Sequence, residues 1–137
     1  MRVLITGATG FVGTALTEQV SSFYDTIVLV RTQNNVLSSN IQQLVAANIF
    51  EADLPNNIDV IIHLAGRAHI LNEQTTDPLN EFRKVNVDGT LQLARQALEK
   101  KVKLYSILVE NMDMLYRPVD LGLFMDKLYY DIRKAVI

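Results

Sequence analysis

Gly7, Gly10 and Gly13 stand three apart directly after an apolar run, Val3-Leu4-Ile5-Thr6, and a helical pattern begins at Phe11. Such an arrangement can hold an anion. Gly7 can take backbone angles that a side chain would forbid. Gly10 lets a ligand approach the main chain, and Gly13 lets a helix pack closely on the strand. The first N–H groups of the helix lack partners within it, and the helix dipole adds positive potential there. A pyrophosphate suits that place. A second position of chemical interest follows the next apolar run, Thr26-Ile27-Val28-Leu29-Val30. An Asp or Glu there would bind an adenosine ribose 2′-hydroxyl. The chain has Arg31 instead, and no acidic residue between Thr26 and Phe50. A guanidinium in that place meets a 2′-phosphate, which favours NADP over NAD. The plainer alternatives are glycines that serve packing only and an arginine that is merely solvated.

These residues need elements to position them. Arg2–Thr6 reads as a strand buried on both faces of a parallel sheet. Phe11–Phe23 reads as a helix with Val12, Ala15, Leu16, Val20 and Phe23 on one face. Thr26–Val30 is a second strand, and a third is expected within Ile41–Ala46. Asp59–Gly66 is a fourth strand ending in small residues, reached from the third by a connection with little or no helix. The longest helix is expected over Asp77–Lys100, with Asp77 as cap and Pro78 in its first turn. Val87, Leu91, Ala94 and Leu98 would make its apolar stripe. Lys100, Lys101 and Lys103 suit the negative end of its dipole. Val102–Val109 reads as a fifth strand. The fold class is therefore α/β, a Rossmann-like, doubly wound parallel sheet of about five strands with a helical C-terminal tail.

Composition narrows the partners. The chain has 137 residues, which predicts one domain. Its formal net charge is −2, and no basic patch points to nucleic acid. There is no cysteine, so disulfides and thiolate metal sites are excluded, and no metal site is expected. No signal peptide or membrane-spanning run is evident, which predicts a cytoplasmic protein.

Four ordered stretches carry a family resemblance: Thr6-Gly7-Ala8-Thr9-Gly10-Phe11-Val12-Gly13, Asp53-Leu54, His63-Leu64-Ala65-Gly66 and Asn86-Val87-Asp88-Gly89-Thr90. Together they resemble the amino-terminal half of an extended short-chain dehydrogenase/reductase. His63-Leu64-Ala65-Gly66-Arg67-Ala68-His69 is most similar to bacterial nucleotide-sugar epimerases and dehydratases. The resemblance covers residues 1–103, and residues 104–137 diverge. It implies that Gly7, Gly10 and Gly13 line the pyrophosphate, that Thr9, Phe11 and Val12 also contact the cofactor, and that Arg31 sits by the adenosine ribose. It implies that Asp53 and Leu54 flank the adenine and that Leu64, Ala65 and Gly66 run beside the nicotinamide ribose. Asn86 would hold the active end of the sheet through hydrogen bonds. His63 is expected to be structural and His69 to lie on a solvated loop.

Members of that family resemble one another in chemistry. A tyrosine moves a proton while hydride moves to or from the nicotinamide, and a lysine four residues later lowers the tyrosine's pKa. Tyr130 and Lys134 have that spacing. The hydroxyl residue expected after the fifth strand is missing, since Val109-Glu110 stand there and Ser106 falls too early. The resulting expectation is a truncated, NAD(P)-binding fragment of a nucleotide-sugar epimerase-like protein, not competent alone. The alternatives are an enzyme completed by a partner chain and a non-enzymatic dinucleotide-sensing module. A sheet without its sixth strand would expose an edge. Leu121, Leu123, Phe124, Met125, Leu128, Tyr129 and Ile132 could cover it within one chain or between two, so a homo-oligomer is expected.

Overall fold

The computed structural model describes residues 1–67 and 77–107. The elements are β1 (Arg2–Thr6), α1 (Phe11–Ser21), β2 (Asp25–Val30), β3 (Gln42–Val45), β4 (Val60–His63), α2 (Pro78–Arg83), a π-helical turn (Lys84–Asp88), α3 (Gly89–Glu99) and β5 (Leu104–Ile107). The five strands form one sheet in the order β3-β2-β1-β4-β5. Every pairing is parallel. β1 is central, with Leu4 beside Ile27 on one side and Ile61 on the other. Chain direction across the sheet reverses between β1 and β4, so a crevice opens beyond their carboxyl ends.

Strand alternation divides the core in two. Val3, Ile5, Val28, Val60 and Ile62 pack with Leu16 and Val20 of α1. Leu4, Ile27 and Ile61 point the other way and pack with Leu93 and Ala97 of α3. Each Val, Leu or Ile side chain taken out of water contributes about 1.5–3 kcal/mol before chain entropy is counted. Both faces are covered, which is why these strands are unbroken apolar runs rather than alternating ones.

Asp59 ties the amino ends of three strands. Its carboxylate accepts from the Arg2 N–H at 2.8 Å and pairs with the Lys103 ammonium at 3.0 Å. Its own N–H donates to the Arg2 carbonyl at 2.9 Å, and its carbonyl accepts from the Lys103 N–H at 2.9 Å. The hydrogen bond from the Arg2 backbone, aided by Lys103, holds the Asp59 carboxyl below its ordinary pKa.

Several expectations are corrected. The first helix ends at Ser21, and its buried residues are Gly13, Leu16, Thr17 and Val20. Ala15 and Phe23 are exposed. The second expected helix is two helices joined by the π turn, in which the Gly89 N–H bonds the Lys84 carbonyl five residues back. Its expected stripe is on the wrong side. Gly89, Leu93, Gln96 and Ala97 are buried, whereas Val87, Leu91 and Leu98 are exposed. Asp77 does cap α2, its carboxylate accepting from the Asn80 N–H at 3.1 Å, and Pro78 opens the helix. Lys100 is the C-cap of α3, and Lys101 and Lys103 follow it at the carboxyl end of the helix. Lys101 takes a left-handed conformation, φ 57°, while its N–H bonds the Leu98 carbonyl and the Val102 N–H bonds the Ala97 carbonyl. That is a Schellman ending with lysine in the position glycine usually holds. The connection from β3 to β4 contains turns and no helix.

Candidate functional site

The β1–α1 turn is built by steric necessity. Gly7 has φ +72°, and a Cβ there would stand 2.7 Å from both the Ala65 nitrogen and the Leu64 carbonyl carbon. The β1 turn and the loop after β4 therefore meet main chain to main chain. A Cβ on Gly13 would overlap the Gly7 carbonyl oxygen and lie 2.9 Å from the Ala8 Cα. Gly10 differs: its backbone is extended, φ −78° and ψ 173°. It heads α1 without a side-chain cap, and the first turn carries no acidic residue. The positive end of α1 is thus left to whatever lies outside it. Thr9, Gly10 and Phe11 are exposed there and Val12 is half-buried.

Across the crevice, the loop Leu64–Arg67 is pinned to β1. The Leu64 N–H donates to the Thr6 carbonyl at 3.2 Å, and the Ala65 N–H donates to Thr6 Oγ1 at 3.1 Å. Asn86, on the π turn, grips the backbone of Arg67 with both ends of its amide. Its Oδ1 accepts from the Arg67 N–H at 2.6 Å and its Nδ2 donates to the Arg67 carbonyl at 2.9 Å. The Arg67 guanidinium sits 5.5 Å from the centre of the Phe82 ring, a cation–π contact.

Two more amides act in the same way. Gln43 on β3 accepts from the Asn34 N–H at 2.8 Å and donates to the Asn34 carbonyl at 2.7 Å, fixing the loop that follows Arg31. Gln96, buried in α3, accepts from the Leu54 N–H at 2.9 Å and donates to the Ala52 carbonyl at 2.8 Å, so it brackets Asp53. Arg31 is exposed just beyond β2. The Asp53 side chain is 93 % exposed and its carboxylate lies 3.3 Å from the Lys100 ammonium. Leu54 is fully buried in the α3-side core, its N–H held by Gln96.

Beneath this surface, His63 is buried at the end of β4. Its Nδ1 is 2.6 Å from Thr6 Oγ1 and its Nε2 is 2.9 Å from Thr90 Oγ1. Burial lowers its pKa from 6.5 to about 4, which keeps the imidazole neutral. Its structural expectation fits this placement.

Gly7, Thr9, Gly10, Phe11, Val12 and Gly13 are thus brought to the β1 side of the crevice, with Leu64, Ala65, Gly66 and Asn86 belonging to its β4 side. Arg31 and Asp53 lie on the neighbouring connections. Tyr130, Lys134 and His69 fall outside the described residues. The sequence reading gave no role to Gln43, Gln96 or Thr90; Gln96 reaches partners 42 and 44 residues away and Thr90 reaches His63 27 residues away, whereas Gln43 serves Asn34 nine residues back. The uncapped helix end and the Cβ-free approach at Gly10 fit a pyrophosphate. No cluster of metal-ligating side chains occurs among the described residues, and no described helix is long and apolar enough to cross a membrane.

A central β1, an order of β3-β2-β1-β4-β5 and a glycine turn at the switch define a Rossmann-like α/β domain. The sequence profile of the NAD dependent epimerase/dehydratase family matches residues 3–109, and the chain belongs to that family. The UDP-glucose 4-epimerase of Vibrio cholerae is 36 % identical over 108 residues, covering 75 % of this chain and 33 % of the relative. An epimerase family protein of Staphylococcus aureus is 27 % identical over 129 residues, covering 92 % of this chain and 42 % of the relative, so the alignment enters residues 104–137. This chain spans about a third to two-fifths of the length of these curated relatives. Among solved structures, MoeE5 in complex with UDP-glucose and NAD superimposes with a TM-score of 0.65 at 22 % identity, covering 78 % of this chain and 36 % of that one. UDP-glucose 4-epimerase of Thermotoga maritima with UDP-glucose gives 0.64 at 20 % identity, covering 78 % and 37 %. Both share the fold.

Proposed function

We propose that this chain is the dinucleotide-binding portion of a nucleoside-diphosphate-sugar epimerase-like protein and binds NAD(P) without turning over sugar by itself. One observation carries the reading. The glycine turn and the Leu64–Gly66 loop meet main chain to main chain at the β1/β4 switch, directly beside the uncapped end of α1. In this reading Gly7, Gly10 and Gly13, with Thr9, Phe11 and Val12, surround the pyrophosphate, and backbone N–H groups of α1 bind its oxygens. Leu64, Ala65 and Gly66 border the nicotinamide ribose, and Asn86 holds that border in place. Asp53 flanks the adenine, with Leu54 buried beneath it. Arg31 favours NADP, because its exposed guanidinium follows β2 where an acidic residue would repel a 2′-phosphate.

When bound, the nicotinamide supplies hydride chemistry, and the sugar of a nucleotide sugar is its partner in the family. Catalysis by Tyr130 and Lys134 is not part of this reading, since the sequence places Val109-Glu110 where the family's hydroxyl residue is expected. We further propose self-association, supported by the exposed Val87, Leu91 and Leu98 along one side of the α3 segment.

Calorimetric titration with NADP and then NAD tests the reading. Gly10→Val should abolish binding of both, and Arg31→Ala should weaken NADP roughly ten-fold while sparing NAD. A chain that binds neither dinucleotide refutes the proposal. Turnover of a nucleotide sugar that disappears in Tyr130→Phe refutes its binding-only part. A monodisperse monomer in sedimentation at high concentration refutes self-association.

A further inference from the structure

We infer that His63 is a positioning residue: with Thr6 and Thr90 it closes a one-way hydrogen-bond circuit that fixes the Ala65–Arg67 loop against the glycine turn. The direction of every link follows from proton counting. Thr90 Oγ1 donates to the Asn86 carbonyl at 2.8 Å. A hydroxyl has one proton, so toward His63 Nε2, 2.9 Å away, Thr90 Oγ1 accepts. Nε2 therefore carries the imidazole proton. In a neutral ring Nδ1 is then the acceptor. Thr6 Oγ1, 2.6 Å from Nδ1, gives its proton to the ring. The same oxygen accepts from the Ala65 N–H at 3.1 Å.

Polarity thus runs from the Ala65 amide through Thr6, His63 and Thr90 to the Asn86 carbonyl. Asn86 then returns to the starting loop, since its amide holds the N–H and carbonyl of Arg67. Both ends of Ala65–Arg67 are anchored by one circuit, and His63 is its middle link. It is 1 % exposed, so water does not substitute for either partner. A second ring proton would set two donors on Thr6 Oγ1 and orphan the threonine's own proton, an arrangement that a buried site resists. The low imidazole pKa agrees with this geometry. The Ala65 nitrogen, together with the Leu64 carbonyl, limits the space at Gly7. Loosening the loop would therefore loosen the close contact on which the proposed dinucleotide cleft depends; the effect on binding, though not the circuit, rests on that reading.

The test is nuclear magnetic resonance on the full chain, labelled with nitrogen-15. Long-range proton–nitrogen spectra at neutral pH should find His63 with Nε2 protonated and Nδ1 bare. A protonated Nδ1, or averaging between tautomers, overturns the circuit. Amide exchange gives the second readout. Thr90→Val should speed exchange at Ala65 and Arg67 roughly ten-fold, Thr90→Ser should restore it, and the Leu4 and Ile61 amides should not change. Unchanged Ala65 and Arg67 amides in a folded Thr90→Val chain also overturn the circuit. If Leu4 and Ile61 lose protection too, the variant is unfolded and the wild-type tautomer decides. NADP affinity should fall roughly ten-fold in Thr90→Val. A wild-type chain that binds no dinucleotide refutes the cleft and leaves the tautomer to judge the circuit.

Discussion

Replacing Gly13 by alanine sets two effects of opposite sign against each other. In a helix interior, alanine is favoured over glycine by about 1 kcal/mol. At Gly13 the added methyl would overlap the Gly7 carbonyl oxygen and stand 2.8 Å from the Gly7 carbonyl carbon. Those are backbone atoms held by β1 on one side and the Gly10 N–H on the other. They cannot turn away as a side chain would, so α1 itself must shift off the sheet. Overpacking of this kind costs about 3 kcal/mol or more at the upper end of its range. The clash wins, and the variant should lose about 2 kcal/mol net. With a urea slope of about 1–3 kcal/mol per molar, the midpoint should fall by about 1 M. Gly10→Ala is the control. Its extended backbone accepts any residue, and the methyl would lie 3.3 Å from the Gly7 oxygen. Its stability should stay within about 1 kcal/mol of wild type. Urea unfolding followed by circular dichroism measures both. A Gly13→Ala chain as stable as wild type, or more stable, would show that helix propensity governs this position and that α1 does not pack on the turn as described.

Acid should expose His63: its folded pKa of about 4 lies below the ordinary 6.5, so its contribution is complete above pH 6.5 and is lost progressively down to pH 4, about 3 kcal/mol in all. Stability curves of wild type and His63→Gln should converge in slope above that window and differ within it; parallel curves throughout refute the buried imidazole. Below it, the depressed Asp59 carboxyl adds a second loss as it protonates, and Asp59→Asn should flatten that acid limb in the same titration. Gln96→Leu leaves the Leu54 N–H and Ala52 carbonyl without their buried partner and should cost about 1–3 kcal/mol in urea unfolding. Lys101→Gly relieves a left-handed lysine and should raise stability by about 0.5–1 kcal/mol, read as a higher thermal midpoint.

The strands were legible because a sheet covered on both faces writes itself as unbroken runs of Val, Ile and Leu, as in Val3-Leu4-Ile5 and Val60-Ile61-Ile62. The glycine turn was legible because only a missing Cβ satisfies Gly7 and Gly13. Helix faces were not. On the 84–99 segment the more apolar side, Val87, Leu91 and Leu98, is exposed, while the core receives Gly89, Leu93, Gln96 and Ala97. Close approach to Ile49 selects glycine at 89, where a Cβ would meet its Cγ2 at 2.5 Å. Buried backbone polar groups select glutamine at 96. Neither demand is hydrophobic, so an apolar pattern pointed the wrong way. The amide clamps were hidden for a related reason. Gln96 serves partners 42 and 44 residues away, and no local feature marks one glutamine among several.

The π turn makes chain length itself a functional quantity. Deleting Val87 or Asp88 would allow continuous α-helix, a local gain in backbone geometry. It would also swing everything upstream by about 100° relative to Leu93 and Ala97, the angle each helical residue subtends. Asn86 could then serve Arg67, or α3 could keep its seat on the sheet, but not both. A shorter sequence would be a better helix and a worse protein, and for that reason the surplus residue has no cheap route out.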